Sequence, residues 1–243
     1  MNRLASLAVV VAAFAPGAAF AATIYDNKPG AIDYAFSSST MKGTTGALTA
    51  DDFTLSTAGA ASYTVDGATW RGIYYNSANN GFLSATGTSQ MFELLVYASA
   101  GDRPASAPTA ADEGAVAKRF VSATGTAVTG SSVAAYAASF TPFELQAGQQ
   151  YWLSVYAINP AKGDTWSWGA HGGTGNALQS EGVNWSDDDT AQLISTQAFT
   201  LTGSIAAVAA VPEPATWAMM LIGVGGVGAS LRRRKVRAAV TYA

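Results

Sequence analysis

Between residues 22 and 203, apolar side chains recur at every second position in short runs, and no stretch of useful length keeps a helical spacing. Phe53 and Leu55 flank Thr54, and Phe92, Leu94 and Val96 alternate with Glu93, Leu95 and Tyr97. Tyr151, Leu153, Val155 and Ala157 fall on one face of a run whose other face is Trp152, Ser154 and Tyr156. Phe199 and Leu201 alternate with Thr200 and Thr202. Side chains along a strand point to opposite faces in turn, so this spacing, bounded by Gly, Ser, Asn and Asp, predicts half-buried antiparallel strands. Their number and spacing predict an all-β body, an antiparallel β-sandwich or jelly roll. Thr109 to Lys118 is the one stretch with helical character, and Gly114 and the flanking prolines weaken it.

A chain of 243 residues can bury one large core. Charged residues make up 12% and apolar residues 49%, a balance that excludes a disordered chain. The absence of cysteine excludes disulfide frameworks, thiol catalysis and Cys-based metal centres. The formal charge of −3 conceals an uneven distribution. Residues 22–211 hold seven basic against fifteen acidic residues, a balance of −8, whereas Arg232, Arg233, Arg234, Lys235 and Arg237 crowd the C-terminal end. An acidic body argues against nucleic acid, whose binders present basic patches to phosphate.

Both ends have the composition of targeting segments. Arg3 precedes an apolar run from Leu4 to Phe14, Pro16 and Gly17 break it, and Ala19-Phe20-Ala21 places small residues at −3 and −1. Residues 1–21 are therefore expected to be a secretory signal peptide with an N-terminal helix, cleaved after Ala21. At the other end, Val211-Pro212-Glu213-Pro214 precedes Ala215 to Leu231, 17 residues without a charge. At about 1.5 Å per residue this makes roughly 25 Å of helix, enough for a thin bilayer, and residues 215–231 are expected to span one. The basic cluster that follows would stop transfer and hold this end on the cytoplasmic side of the inner membrane. Gly223, Gly225 and Gly228 satisfy G-x-G-x-x-G, but they lie within an apolar segment rather than at a strand-to-helix turn, so they do not signal a dinucleotide site. The prolines around Glu213 cannot continue a helix and leave an extended backbone that an enzyme could grip.

These residues resemble the PEP-CTERM sorting signal in its P-E-P-x-x-W-A form. Pro212-Glu213-Pro214, Trp217-Ala218, the Gly-rich span from Gly223 to Gly228 and the run Arg232-Arg233-Arg234-Lys235 occur in the order of that signal. The resemblance implies an exosortase partner, a membrane protease-like transpeptidase that recognises Pro212, Glu213 and Pro214 and removes the tail. It also implies a Gram-negative, biofilm- or exopolysaccharide-forming bacterium. The expected organisation is then a signal peptide (1–21), a β-sandwich (22–203), a linker (204–211) and a sorting signal (212–243). Asp51-Asp52-Phe53-Thr54-Leu55, Ala68-Thr69-Trp70-Arg71-Gly72 and Leu145 to Ser154 are similar to pieces of the sandwich bodies attached to such signals, a likeness that implies a fold and no activity.

Candidate chemistry in the body is sparse. His171, the single histidine, could act as a base only with a nucleophile and an orienting acid, and no G-x-S-x-G motif is present. A glycosidase needs two carboxyl groups about 5–10 Å apart, and Glu93, Glu144 and Glu181 are the candidates. Each is expected to be solvated. Asp187-Asp188-Asp189 could offer oxygens to calcium but lacks the spacing of a calcium loop. Asn184-Trp185-Ser186 matches a glycosylation sequon with no weight in a bacterial chain. Trp166, Trp168 and Trp185 crowd near His171, where they would form either a sugar-stacking platform or part of the core. The expectation is an exported, non-enzymatic matrix protein without cofactor or metal, partnered by exosortase and extracellular polysaccharide. A secreted carbohydrate-active hydrolase and a ligand-free structural protein are the alternatives.

Overall fold

The computed structural model describes residues 22–27, 32–39, 47–106, 114–172, 176–180, 185–186, 195–207 and 214–234. Residues 1–21, where a signal peptide is expected, and Glu181, Asp187–Asp189, Pro212, Glu213, Lys235 and Arg237 lie outside them. The chain divides into two units, residues 1–207 and 208–243.

In the first unit the strands follow one another as β1 (Ala22–Asn27), β2 (Tyr34–Ser37), β3 (Leu48–Thr54), β4 (Ala60–Asn76), β5 (Gly81–Leu83), β6 (Ser89–Ala98) and β7 (Ala115–Thr124). They continue as β8 (Thr126–Ala127), β9 (Ala134–Gln146), β10 (Gln150–Ala157), β11 (Thr165–Gly172), β12 (Leu178–Ser180), β13 (Trp185–Ser186), β14 (Ser195–Gln197) and β15 (Phe199–Ala207). Among the described residues these build two antiparallel sheets with a half-barrel curl. One has nine strands along the path β1-β15-β4-β11-β14, with β2, β5, β8 and β9 attached. The other has six, in the order β13-β12-β3-β10-β6-β7. The all-β antiparallel expectation holds for the body. Ala115–Lys118 belongs to a strand and is not helical.

The two sheets share an aromatic core because their period-two patterns turn large rings to the same side. Phe92 on β6 inserts edge-on among Trp70, Tyr136 and Trp166 of the nine-stranded sheet, with ring centroids 5.0, 4.8 and 4.9 Å away. Phe53 on β3 meets Phe199 edge-on and Tyr25 at a tilt. Gly72 is required by this packing: a Cβ there would lie 2.1 Å from the Trp166 ring.

The six-stranded sheet is covered on its second face as well. Leu95, Tyr97, Trp152, Tyr156, Leu178 and Trp185 form a separate buried cluster there. The expectation of half-buried strands therefore fails for β10, nearly every residue of which is buried. Ser204–Ala207, expected in a linker, extend β15 and pair with Ala60–Thr64 of β4.

In the second unit, Pro214–Arg234 form one helix, α1. Proline suits a first helical position, where its missing N–H would have no partner.

Candidate functional site

The helix α1 exposes apolar side chains all around its circumference. Met219, Met220, Leu221, Ile222, Val224, Val227 and Leu231 are each at least 60% exposed, and a Cβ at Gly223, Gly225, Gly226 or Gly228 would meet nothing within 4 Å. A helix that is apolar on every side belongs in an apolar environment rather than on an aqueous surface. Yet no helix among the described residues is long and apolar enough to cross a membrane, so the span expected at 215–231 is not supported as a membrane crossing. Four glycines within six residues dilute the apolar surface, and the charges begin after 17 residues. Trp217 and Ala218 lie in the first turns of this helix, and Arg232, Arg233 and Arg234 at its end, where positive charge complements the helix dipole.

The tryptophans are core residues. Trp166 and Trp168 sit fully buried on the inward face of β11, and Trp185 lies across the other face of the six-stranded sheet, edge-on to Tyr97. A sugar-stacking platform built from Trp166, Trp168 and Trp185 beside His171 does not form: all three rings are buried, two in the core between the sheets and Trp185 in the separate cluster. The indole N–H of Trp168 donates to the Ala198 carbonyl and that of Trp185 to the Ser106 carbonyl. His171 follows on the same strand, half-buried, paired in register with Thr196, its Nδ1 2.9 Å from the Gly172 carbonyl. The described residues bring no nucleophile to its ring.

Glu93 departs from its expected solvated state. It lies on the second face of the six-stranded sheet with 4% of its surface exposed. The Lys118 ammonium on β7 approaches to 2.5 Å, and the Tyr156 hydroxyl on β10 donates to its other oxygen. Neighbouring strands supply both partners because Glu93 pairs in register with Tyr156 and lies beside Lys118. The arrangement neutralises a buried charge, as burial demands. Glu144 is exposed on β9.

A second buried acid escaped the sequence reading. Asp51 lies between the sheets with 0% exposure. Its Oδ2 accepts hydrogen bonds from the Gln197 backbone N–H and the Thr196 hydroxyl, both at 2.7 Å, and from the Asn27 amide at 3.3 Å. Asn27 also donates to the Gln197 carbonyl at 3.0 Å and to the Thr196 hydroxyl. One acid of the six-stranded sheet thus joins β1 and β14 of the nine-stranded sheet. Its Oδ1 and the Gln197 side-chain amide have no partner among the described residues. Burial outweighs the hydrogen bonds and, with a smaller push from Asp52, raises the Asp51 carboxyl to about 7. The signal was available: Asp51, Phe53 and Leu55 share one phase of the alternation, so the acid occupies a core position.

The described residues contain no group of three or more His, Asp or Glu side chains able to hold a metal. A comparison with curated proteins gives no match. The C-terminal segment does match a family model: residues 210–235 match the PEP-CTERM protein-sorting motif, which indicates an exosortase-targeted, extracellular protein that is transiently anchored in a membrane.

Proposed function

We propose that this is an exported envelope or matrix protein of a Gram-negative bacterium, non-enzymatic, whose body associates with extracellular polysaccharide after exosortase has removed the tail. The observation that carries the sorting part is the match over residues 210–235, together with an apolar helix closed by arginines. In this reading the signal peptide at 1–21 starts export, and Arg232, Arg233, Arg234, Lys235 and Arg237 retain the tail end at the cytoplasmic face. The short, glycine-rich helix sits in the inner membrane only until cleavage, helped by local thinning of the bilayer. The two sheets, which share the Phe92 cluster, form a β-sandwich that is what the cell keeps. Its acidic charge and the sequestered state of Glu93 favour a binding or structural role over hydrolysis.

Replacing Pro212, Glu213 and Pro214 by alanine tests the sorting part. The expected result is full-length protein retained in the membrane fraction while wild-type protein reaches the cell surface or medium. Equal release of the two would contradict it.

A further inference from the structure

With the tryptophans buried, any contact with a glycan must use another surface. The side of the nine-stranded sheet that faces away from the shared core offers one. Ile73 and Tyr74 are consecutive on β4, and Tyr74 points into the core, so Ile73 points outward. There it helps line an open depression of about 230 Å³ whose other walls include Ile32, Val133, Phe82, Asp33 and Ser132. This is smaller than the roughly 300–1,000 Å³ of sites that enclose a drug-sized ligand, and it suits one ring of a longer molecule lying across the surface.

The lining divides into two kinds. Ile32, Ile73 and Val133 make an apolar floor, and Phe82 on β5 raises a ring that is 64% exposed. That ring is held: Tyr75 packs edge-on against it at 5.7 Å, and the Tyr75 hydroxyl donates to the Asn80 side chain 2.6 Å away. Asn80 itself takes a left-handed conformation, φ 45°, which closes the turn between β4 and β5. The aromatic wall is therefore positioned before any ligand arrives. Beside it the Asp33 carboxylate and the Ser132 hydroxyl are exposed polar groups. Asp33 is tied to the sheet through its backbone N–H, which donates to Ala170, and through an oxygen 3.4 Å from the Gly172 N–H.

An apolar floor, an exposed ring and adjacent polar groups match the two-sided character of a pyranose, whose C–H face stacks on an aromatic while its hydroxyls seek hydrogen bonds. A purely aliphatic ligand would leave Asp33 desolvated and unpaired. Charge narrows the class further: a carboxylate at the site and an acidic body repel uronates and sulfated sugars and favour neutral or amino-bearing units. We propose that this depression is a sugar subsite, with Phe82 as stacking platform and Asp33 and Ser132 as hydrogen-bond partners, taking neutral or amino-bearing pyranose units of an extracellular glycan. The proposal rests on the polysaccharide reading above and gives it a location.

Titration calorimetry of the full chain against cellohexaose, chitosan hexamer and oligogalacturonate tests it, with Phe82→Ala and Asp33→Asn as variants. Both residues are exposed, and unchanged thermal midpoints would verify that the variants fold. The expected result is binding of the neutral or amino oligomer, none of the acidic one, and a loss of about tenfold or more for Phe82→Ala. Binding that both variants retain in full would overturn the subsite while leaving the polysaccharide reading in place. Preference for the acidic oligomer would overturn the charge argument and the subsite with it. Failure of all three sugars to bind would count against the subsite and the polysaccharide reading together.

Discussion

Phe92→Ala should lower the stability of the body by about 3–5 kcal/mol, the cost of removing a large buried aromatic and leaving its cavity. Phe92 is fully buried and is the side chain through which the six-stranded sheet contacts Trp70, Tyr136 and Trp166 at once. Its neighbours come from three strands, β4, β9 and β11, each fixed by its own pairing, so the space cannot close by moving one of them. A domain stable by about 5–15 kcal/mol would lose a large fraction of that margin. The contrast is Phe120→Ala on the adjacent strand β7. That ring is 60% exposed, and its loss should stay within about 0.5 kcal/mol. Urea unfolding of the two variants side by side gives the comparison. Similar midpoints would mean that the sheets are not joined through Phe92.

Asp51→Asn should stabilise the protein above neutral pH and do little in acid. The carboxyl is raised from its ordinary 3.8 to about 7, mainly by burial. A group raised on folding gives its full stabilisation below its unfolded pKa and loses it as the pH climbs through the folded value. Between about pH 4 and 7 the wild type should therefore lose stability on account of this group, and above 7 the cost should level off. A shift of about three units corresponds to at most about 4 kcal/mol. Asparagine keeps an oxygen for the Thr196 and Gln197 donors and carries no charge, so the downward slope should disappear. Asp51→Leu would strand those donors and should destabilise at every pH. Asp164 acts in the opposite sense. Hydrogen bonds from the Ser77 hydroxyl and N–H lower its carboxyl, so its contribution is present above the ordinary carboxylate range and fades as the pH falls. Thermal midpoints of wild type and Asp51→Asn from pH 4 to 9 decide the matter; parallel curves would mean that Asp51 does not titrate in this window.

What could be read from the sequence followed from local pattern. The alternation around Phe92 to Tyr97 and Tyr151 to Ala157 identified β6 and β10 because strand geometry is printed in every second residue. It did not reveal that β10 is buried on both faces. The cluster on that face is completed by Leu178 on β12 and Trp185 on β13, which the sheet order brings near β10 and which alternation within β10 cannot anticipate. The same limit governed Glu93. Its phase correctly placed it away from the shared core, but its partners, Lys118 and Tyr156, arrive through register across two neighbouring strands. The tryptophans near His171 were close in sequence, yet Trp166 and Trp168 turn together into the shared core while Trp185, on a strand of the other sheet, joins the separate cluster on that sheet's second face. Asp51 is the opposite case: its phase with Phe53 and Leu55 marks a core position within the sequence itself. The sorting segment was the most legible feature. Its information lies in a contiguous string meant to be read by an enzyme and needs no tertiary context.

The central claim is that the C-terminal segment is a removable sorting signal and the β body is the lasting product. Intact-mass measurement of the protein recovered from the cell surface or medium tests this most directly. The mature chain is expected to lack the helix Pro214–Arg234 and the basic residues after it, and to end at or near Pro212-Glu213-Pro214. Recovery of a released protein whose mass still includes the sequence through Ala243 would contradict it.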